Sequence, residues 1–233
     1  MWKPVTEQFN SRSTMLGALI AVMSLSLICS MSMQYSHADT PIAASPETVQ
    51  PLSVGQSAPR FVVRTVDNEP FDFNPLALER PVVLISFRGG WCPFCNMHLS
   101  ELKDVVSEID ALGVDVLFLS GDRPDMLYSN LKRETQENIA GLNYRILSDA
   151  DAQAAIAFGI AFRVSRADID NRIANGLDLA ASSMANHGIL PVPSVFAIDT
   201  DGVIAFAHSN PDFKVRLPAA ELLQVATQIA APK

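Results

Sequence analysis

The stretch FRGGWCPFCNMHL, Phe87 to Leu99, places two of the chain's three cysteines only two residues apart. The run that leads into it, PVVLISF from Pro81 to Phe87, is nearly continuously apolar, as a strand covered on both faces would be. Beyond it, Leu99, Leu102, Val105, Val106, Ile109 and Leu112 recur at helical spacing, with Gly113 as a stop. The sequence thus predicts a strand that passes through Arg88-Gly89-Gly90 into a helix. Pro93 suits the first turn, where its missing N–H costs nothing, and this makes Cys92 the N-cap. A sulfur at that position meets the free N–H groups and positive dipole end of the helix, which favour thiolate. Cys95, one turn inward, is expected to be less exposed and more ordinary. An exposed nucleophile beside a resolving thiol is the arrangement that thiol–disulfide exchange requires. The glycines leave the approach to Cys92 open, and Trp91 is expected to shield one side from water.

Two other readings compete for the pair. A structural disulfide gains most when it closes a long loop, and a bridge over two residues constrains almost nothing in the unfolded chain. A structural zinc site needs four ligands, and only His98 lies near; His187 and His208 are remote and unpaired. No metal is expected, and His98 is read as a solvated helix residue.

At the N-terminus, Lys3 and Arg12 precede the apolar run MLGALIAVMSLSLI (Met15 to Ile28), and Ser36 and Ala38 follow at the spacing a signal peptidase accepts. Residues 1–38 therefore read as an export signal, and the chain is expected to be periplasmic or secreted, with membrane association only if the segment stays uncleaved. Cleavage after Ala38 would also remove Cys29 and leave Cys92 and Cys95 as the sole cysteines, an even number suited to an oxidising compartment. Residues 39–54, rich in Pro, Ser and Thr, read as a flexible leader.

The remaining chain, 55–233, has the length and composition of one domain with a proper core. A formal charge of −8 and the lack of a basic patch exclude a nucleic-acid-binding role. RFVVRTV, VDVLFLS and YRILS read as strands, DNEPFDFNPLALER as irregular, and PDMLYSNLKRETQENIA as a helix running from Pro124 to Gly141. DAQAAIAFGI reads as a short helix, SVFAID with VIAFAHS as a hairpin, and PAAELLQVATQIA as a closing amphipathic helix. Strands alternating with helices predict an α/β architecture, a central mixed sheet with helices on both faces. Residues 163–190 are weakly periodic and read as an insertion beside the core.

VGQSAPRFVV, VVLISFRGGWCPFC and PVPSVFAIDTDGVIAF together resemble the thioredoxin superfamily, and most of all the peroxiredoxin-like branch of the alkyl hydroperoxide reductase/thiol-specific antioxidant (AhpC/TSA) family. ILSDADAQAAIAFGI and NPDFKVRLPAAELLQVA extend the similarity over Val54 to Ala230. The resemblance implies a thioredoxin-like fold and a cis bond at Val192–Pro193 that presents the Val192 backbone to a bound thiol or peptide. It also exposes departures. Gly89 stands where peroxiredoxins carry a threonine or serine hydroxyl. Pro191, Val192, Pro193 and Ser194 fill the stretch where they carry an arginine. Ser86 stands where thioredoxins bury an acid. Arg88 and Arg163 each read first as an ordinary surface or ion-paired arginine, the alternative being that one of them folds over Cys92.

The resulting expectation is an exported, thiol-dependent antioxidant enzyme. Cys92 attacks a peroxide, Cys95 resolves the product, an external thiol donor resets the pair, and Arg88, Trp91, Val192 and Pro193 position the substrate. The alternative is a periplasmic thiol–disulfide oxidoreductase acting on protein disulfides, similar to the thioredoxin-like reductases of cytochrome c maturation. A binding domain with an idle pair is the third possibility. No bound cofactor is expected, since no haem, flavin or nucleotide motif occurs.

Overall fold

Alternation of buried and exposed side chains defines the first strand, β1 (Phe61–Arg64), in the computed structural model, which describes residues 41–180 and 182–230. The signal expected over residues 1–38 lies outside the described residues. The chain turns back as β2 (Pro70–Phe73), bringing Phe73 opposite Phe61 with their rings stacked at 4.8 Å. The sequence pattern alone reads as irregular here. It is an edge strand opened by a proline and largely exposed, so it carries no apolar alternation to read.

The predicted central strand is β3 (Val82–Phe87), buried at all six positions. It is followed by α1 (Pro93–Ala111), β4 (Asp115–Ser120), α2 (Arg133–Ile139), β5 (Arg145–Ser148) and α3 (Gln153–Ala157). The second half comprises β6 (Ala161–Arg163), α4 (Arg166–Ala174), α5 (Ser183–His187), β7 (Ile189–Pro191), β8 (Ser194–Ile198), β9 (Ile204–Ser209) and α6 (Ala219–Ala230). Seven strands form one sheet in the order β2-β1-β5-β4-β3-β8-β9, with β3, β4 and β5 mutually parallel and the outer pairings antiparallel.

The two faces of β3 feed two apolar layers. Val83, Ile85 and Phe87 pack against Leu99, Leu102, Val106 and Ile109 of α1 and Leu222 and Val225 of α6. Val82 and Leu84 pack with Phe158, Phe196 and the alanines of α3 on the other side. Helices therefore cover both faces, the mixed α/β, thioredoxin-like arrangement anticipated from the sequence. The layers are tight enough that truncating fully buried Leu102 to alanine is expected to cost about 2–5 kcal/mol.

Three local expectations are corrected. The helix expected over 124–141 is broken: a 3-10 turn at Pro124–Met126 precedes α2, which begins only at Arg133. The Lys132 N–H donates to Asn96 Oδ1 at 2.7 Å and Asn130 Nδ2 donates to Asp122 Oδ1 at 2.9 Å, so tertiary hydrogen bonds interrupt what propensity would continue.

The supposed flexible leader is docked from residue 43 to residue 52. Ala43 exchanges backbone hydrogen bonds with Ala161 and Arg163, while Gln50 and Leu52 donate to Gly159 and Phe158. Ile42 and Leu52 also pack on the second apolar layer. Composition described this segment, but pairing with β6 ordered it.

The 163–190 insertion has structure of its own. Its helices α4 and α5 lie between the two strands β6 and β7, which pair antiparallel. Ile169, Leu179, Met184 and Leu190 form a small apolar cluster that touches Trp91.

Candidate active site

The parallel register of β3 and β4 sets Phe87 beside Ser120, so the residues that follow each strand emerge together at one sheet edge. At that edge the Arg88–Trp91 turn leads into α1, with Cys92 as N-cap and Pro93 as the first helical residue, as the sequence predicted. Gly90 passes so close to the Asn130 backbone that a Cβ would lie 2.5 Å from its carbonyl carbon. The turn is tied down from below: Asp122 Oδ2 accepts the Gly90 N–H at 2.6 Å, and Asn96 Nδ2 donates to the Gly90 and Cys92 carbonyls at 2.6 and 3.0 Å. Asp122 is fully buried, and burial pushes its carboxyl up to about 6 despite the donors from Gly90, Asn130 and Ser120.

Cys92 and Cys95 are both free thiols. Their environments separate them. Cys92 is pulled down to about 6, first by the hydrogen bond from the Cys95 thiol, then by the Arg88 charge, the Cys95 backbone N–H and the Arg216 charge; burial opposes the shift. Cys95 moves well up, through burial and through its role as donor to Cys92. The sequence expected a lowered Cys92 beside an ordinary Cys95; Cys95 is instead displaced upward, and its thiol, rather than the helix terminus, is the first cause of the lowering at Cys92.

The expected exposure of Cys92 is not observed: it is 1% exposed, and Cys95 is fully covered. The segment between β9 and α6 packs over Cys95 and its neighbours Arg88 and Phe94. Phe213 lies edge-on to Phe94 at 5.5 Å, and its ring faces the Arg88 guanidinium at 4.5 Å. Arg216 Nη2 approaches Cys95 Sγ at 3.5 Å while its Nε donates to the Phe213 carbonyl at 2.7 Å. His98, read as solvated, is instead buried against the same segment, its Nε2 3.1 Å from the Leu217 carbonyl oxygen. Burial and the Arg216 charge lower its pKa to about 4, so it is neutral at physiological pH.

Arg88 is a buried residue rather than a surface one, held between the rings of Trp91 (5.1 Å) and Phe213. Arg163 is exposed and lines a cavity of about 350 Å³ whose wall also includes Arg88, Val192 and Pro193. Of the site residues expected from the sequence, Cys92, Cys95, Trp91 and Arg88 lie on one turn and helix, and Val192 and Pro193 share a cavity wall with Arg88.

The expected cis bond is absent, for no cis peptide occurs among the described residues and Val192–Pro193 is trans. The Val192 backbone is already partnered as well. Its N–H donates to Ile160 at 2.8 Å and its carbonyl accepts the Ser194 hydroxyl at 2.8 Å. Its N–H is therefore not free to pair with a bound peptide strand.

Sequence reasoning missed Arg216, Phe213, Asp122 and Asn96. The cations Lys214 and Arg216 in NPDFKVRLP were visible, but nothing local says that residue 216 returns to residue 95.

Comparison with known proteins agrees with this geometry. The AhpC/TSA family matches residues 54–207. Peroxiredoxin Bcp of Escherichia coli is 30% identical over 112 residues, 48% of this chain and 67% of its own length. The thiol-disulfide oxidoreductase ResA of Bacillus thuringiensis is 20% identical over 153 residues, 66% of this chain and 68% of its own. Among solved structures, a peroxiredoxin-like protein from Aquifex aeolicus superposes with a TM-score of 0.56 at 21% identity, covering 77% of this chain and 89% of that one. Reduced Prx3 of Vibrio vulnificus, solved in complex with hydrogen peroxide, gives 0.57 at 17% identity, covering 75% and 99%. With its family match spanning strands, cysteine turn and hairpin alike, this thiol-based oxidoreductase belongs to the AhpC/TSA family.

Proposed function

We propose that the chain reduces peroxides through Cys92 and Cys95. The Cys92 thiolate attacks one peroxide oxygen, the O–O bond breaks, and the departing oxygen leaves as an alcohol or water after taking a proton. Cys92 is then a sulfenic acid. Cys95 Sγ attacks that sulfur, expels the hydroxyl as water and forms the disulfide. An external thiol donor returns two electrons and is itself oxidised to a disulfide. Arg88 and Arg216 offset the negative charge that builds on sulfur and oxygen. The observation that carries this reading is the lowering of Cys92 to about 6 beside a protonated Cys95, which makes one sulfur nucleophile and the other resolver.

A second reading, reduction or oxidation of protein disulfides, draws support from the Cys-x-x-Cys spacing and the likeness to ResA. The occupied Val192 backbone weighs against it. Reduced protein should consume hydrogen peroxide faster than it reduces insulin disulfides. Cys92→Ser should abolish both reactions, whereas Cys95→Ser should permit a single peroxide hit. A Cys92→Ser variant as active as the parent would refute both readings.

Export through residues 1–38 belongs to the same proposal. N-terminal sequencing of protein recovered from an exporting host should begin at Asp39, and a chain that starts at Met1 would overturn it.

A further inference from the structure

The cavity that has Arg88 in its wall has a charge balance unlike that of the chain as a whole. The protein carries a formal charge of −8, yet three arginines, Arg88, Arg163 and Arg172, line this cavity against one carboxylate, Asp168. Asp168 is engaged within its own helix start, where it accepts the Ser165 hydroxyl at 2.7 Å. Among the described residues none of the three arginines forms a salt bridge, although Arg60, Arg80, Arg123, Arg133 and Arg166 all do.

Two of these cations are also short of partners. The Nε atoms of Arg88 and Arg172 are buried and meet no acceptor. Arg88 is only 4% exposed, and its guanidinium touches rings rather than oxygens. The two charges lie near enough for Arg172 to weaken proton binding at Arg88. Holding the buried, unpaired Arg88 charge near the half-buried Arg172 is costly unless an anion completes the site. Apart from Ser45 and Ser165 the rest of the wall is apolar, with Phe162, Leu190, Val192 and Phe213 prominent, and the volume of about 350 Å³ suits a small molecule.

We infer that this cavity binds a carboxylate-bearing, largely apolar small molecule as the redox partner of Cys92, with Arg172 and Arg163 selecting its charge. The inference rests on Cys92 chemistry as proposed above only for the identity of the reacting end. Arg88 is the link between the two: it lines the cavity, and its charge acts on Cys92. A hydroperoxide substrate and a thiol reductant can both carry this chemistry.

Isothermal titration calorimetry on the full chain, with octanoate and uncharged octanamide as probes, reads the site without turnover. Octanoate should bind about tenfold more tightly than octanamide, as a charge-assisted contact would give. Arg172→Gln should erase most of that difference, and Arg163→Gln, at an exposed position, should reduce it if the first variant does not fold. Equal affinities in the parent, or an undiminished difference in whichever variant folds, would overturn the inference.

Two kinetic arms then identify the source. Turnover is compared for a carboxylated and an uncharged alkyl hydroperoxide, and for mercaptoacetate and 2-mercaptoethanol as reductants of the peroxide-oxidised enzyme. The arm in which the anion is preferred, with loss of preference in the variant, names the partner; no preference in either arm would overturn its redox role. Should no peroxide be consumed at all, the proposed activity falls, while the calorimetric difference still decides the anion site.

Discussion

Replacing Cys95 with alanine removes the leading influence that holds Cys92 ionised. Cys92 lies at about 6, against an ordinary value of 9.0, and the Cys95 thiol is the first cause of that displacement. A hydrogen bond to a charged group is worth roughly 1.5–3 kcal/mol, and about 1.4 kcal/mol moves a pKa by one unit. Cys95→Ala should therefore bring Cys92 to between about 7 and 8, with the charges of Arg88 and Arg216 still acting. Near pH 6 the thiolate population then falls roughly five- to fifty-fold, and above about pH 9 the two proteins converge. Iodoacetamide labelling of Cys92, followed by site-resolved mass spectrometry across pH, measures this directly. Cys95→Ser, which keeps a donor, should fall between the parent and the alanine variant. An alanine variant whose midpoint stays near 6 would refute the hydrogen-bond account and leave the two arginines and the helix terminus responsible. A parent midpoint well above neutrality would remove the basis for Cys92 as the nucleophile.

Four further outcomes follow from the same geometry. Gly89→Thr, which restores the hydroxyl of related peroxiredoxins, should destabilise the fold rather than accelerate it: a Cβ there would lie 2.6 Å from Trp91 Nε1 and 2.7 Å from Asp122 Oδ1, at φ +137°. Chemical denaturation should show a loss of about 1–3 kcal/mol, as such backbone strain costs. Asp122→Asn leaves one acceptor oxygen where the carboxylate serves Gly90, Ser120 and Asn130, and should lower stability near pH 8 by about 1–3 kcal/mol. His98 is neutral when folded, with its pKa lowered from 6.5 to about 4, so its stabilising contribution is complete above pH 6.5 and is lost as pH falls through 4. That loss amounts to about 3 kcal/mol, and His98→Gln should flatten the denaturation midpoint over this pH window. Arg216→Met removes the cation beside Cys95 and should slow disulfide closure after a peroxide hit, seen by mass spectrometry as a longer-lived Cys92 sulfenic acid.

Much of this site was legible because its parts are contiguous. A buried strand, two glycines, a proline and a helical apolar stripe lie within Pro81–Leu112, so local periodicity placed Cys92 at the helix start and Cys95 a turn inside. The hairpin of β8 and β9 and the closing helix were legible for the same reason, each being written by its own pattern. Where tertiary bonds replaced local ones, the reading failed. Asn96 takes the Lys132 N–H and shortens α2, and Ala161 and Arg163 capture the leader at Ala43. His98 looked solvated because nothing in its neighbourhood announces Leu217, more than a hundred residues away.

The sequence by itself determined the buried central strand, the helix that follows it and the placing of Cys92 at that helix's start with Cys95 one turn inward, since these depend on side chains within one or two turns of each other. Only the tertiary structure decided that Cys92 is covered, that Arg88 is buried between aromatic rings, and that Arg216 faces Cys95. It also decided that Arg172 joins Arg88 and Arg163 around one cavity. Contacts between segments so distant in the chain are fixed by how the layers and the insertion pack, and a pattern of neighbouring residues carries no record of them.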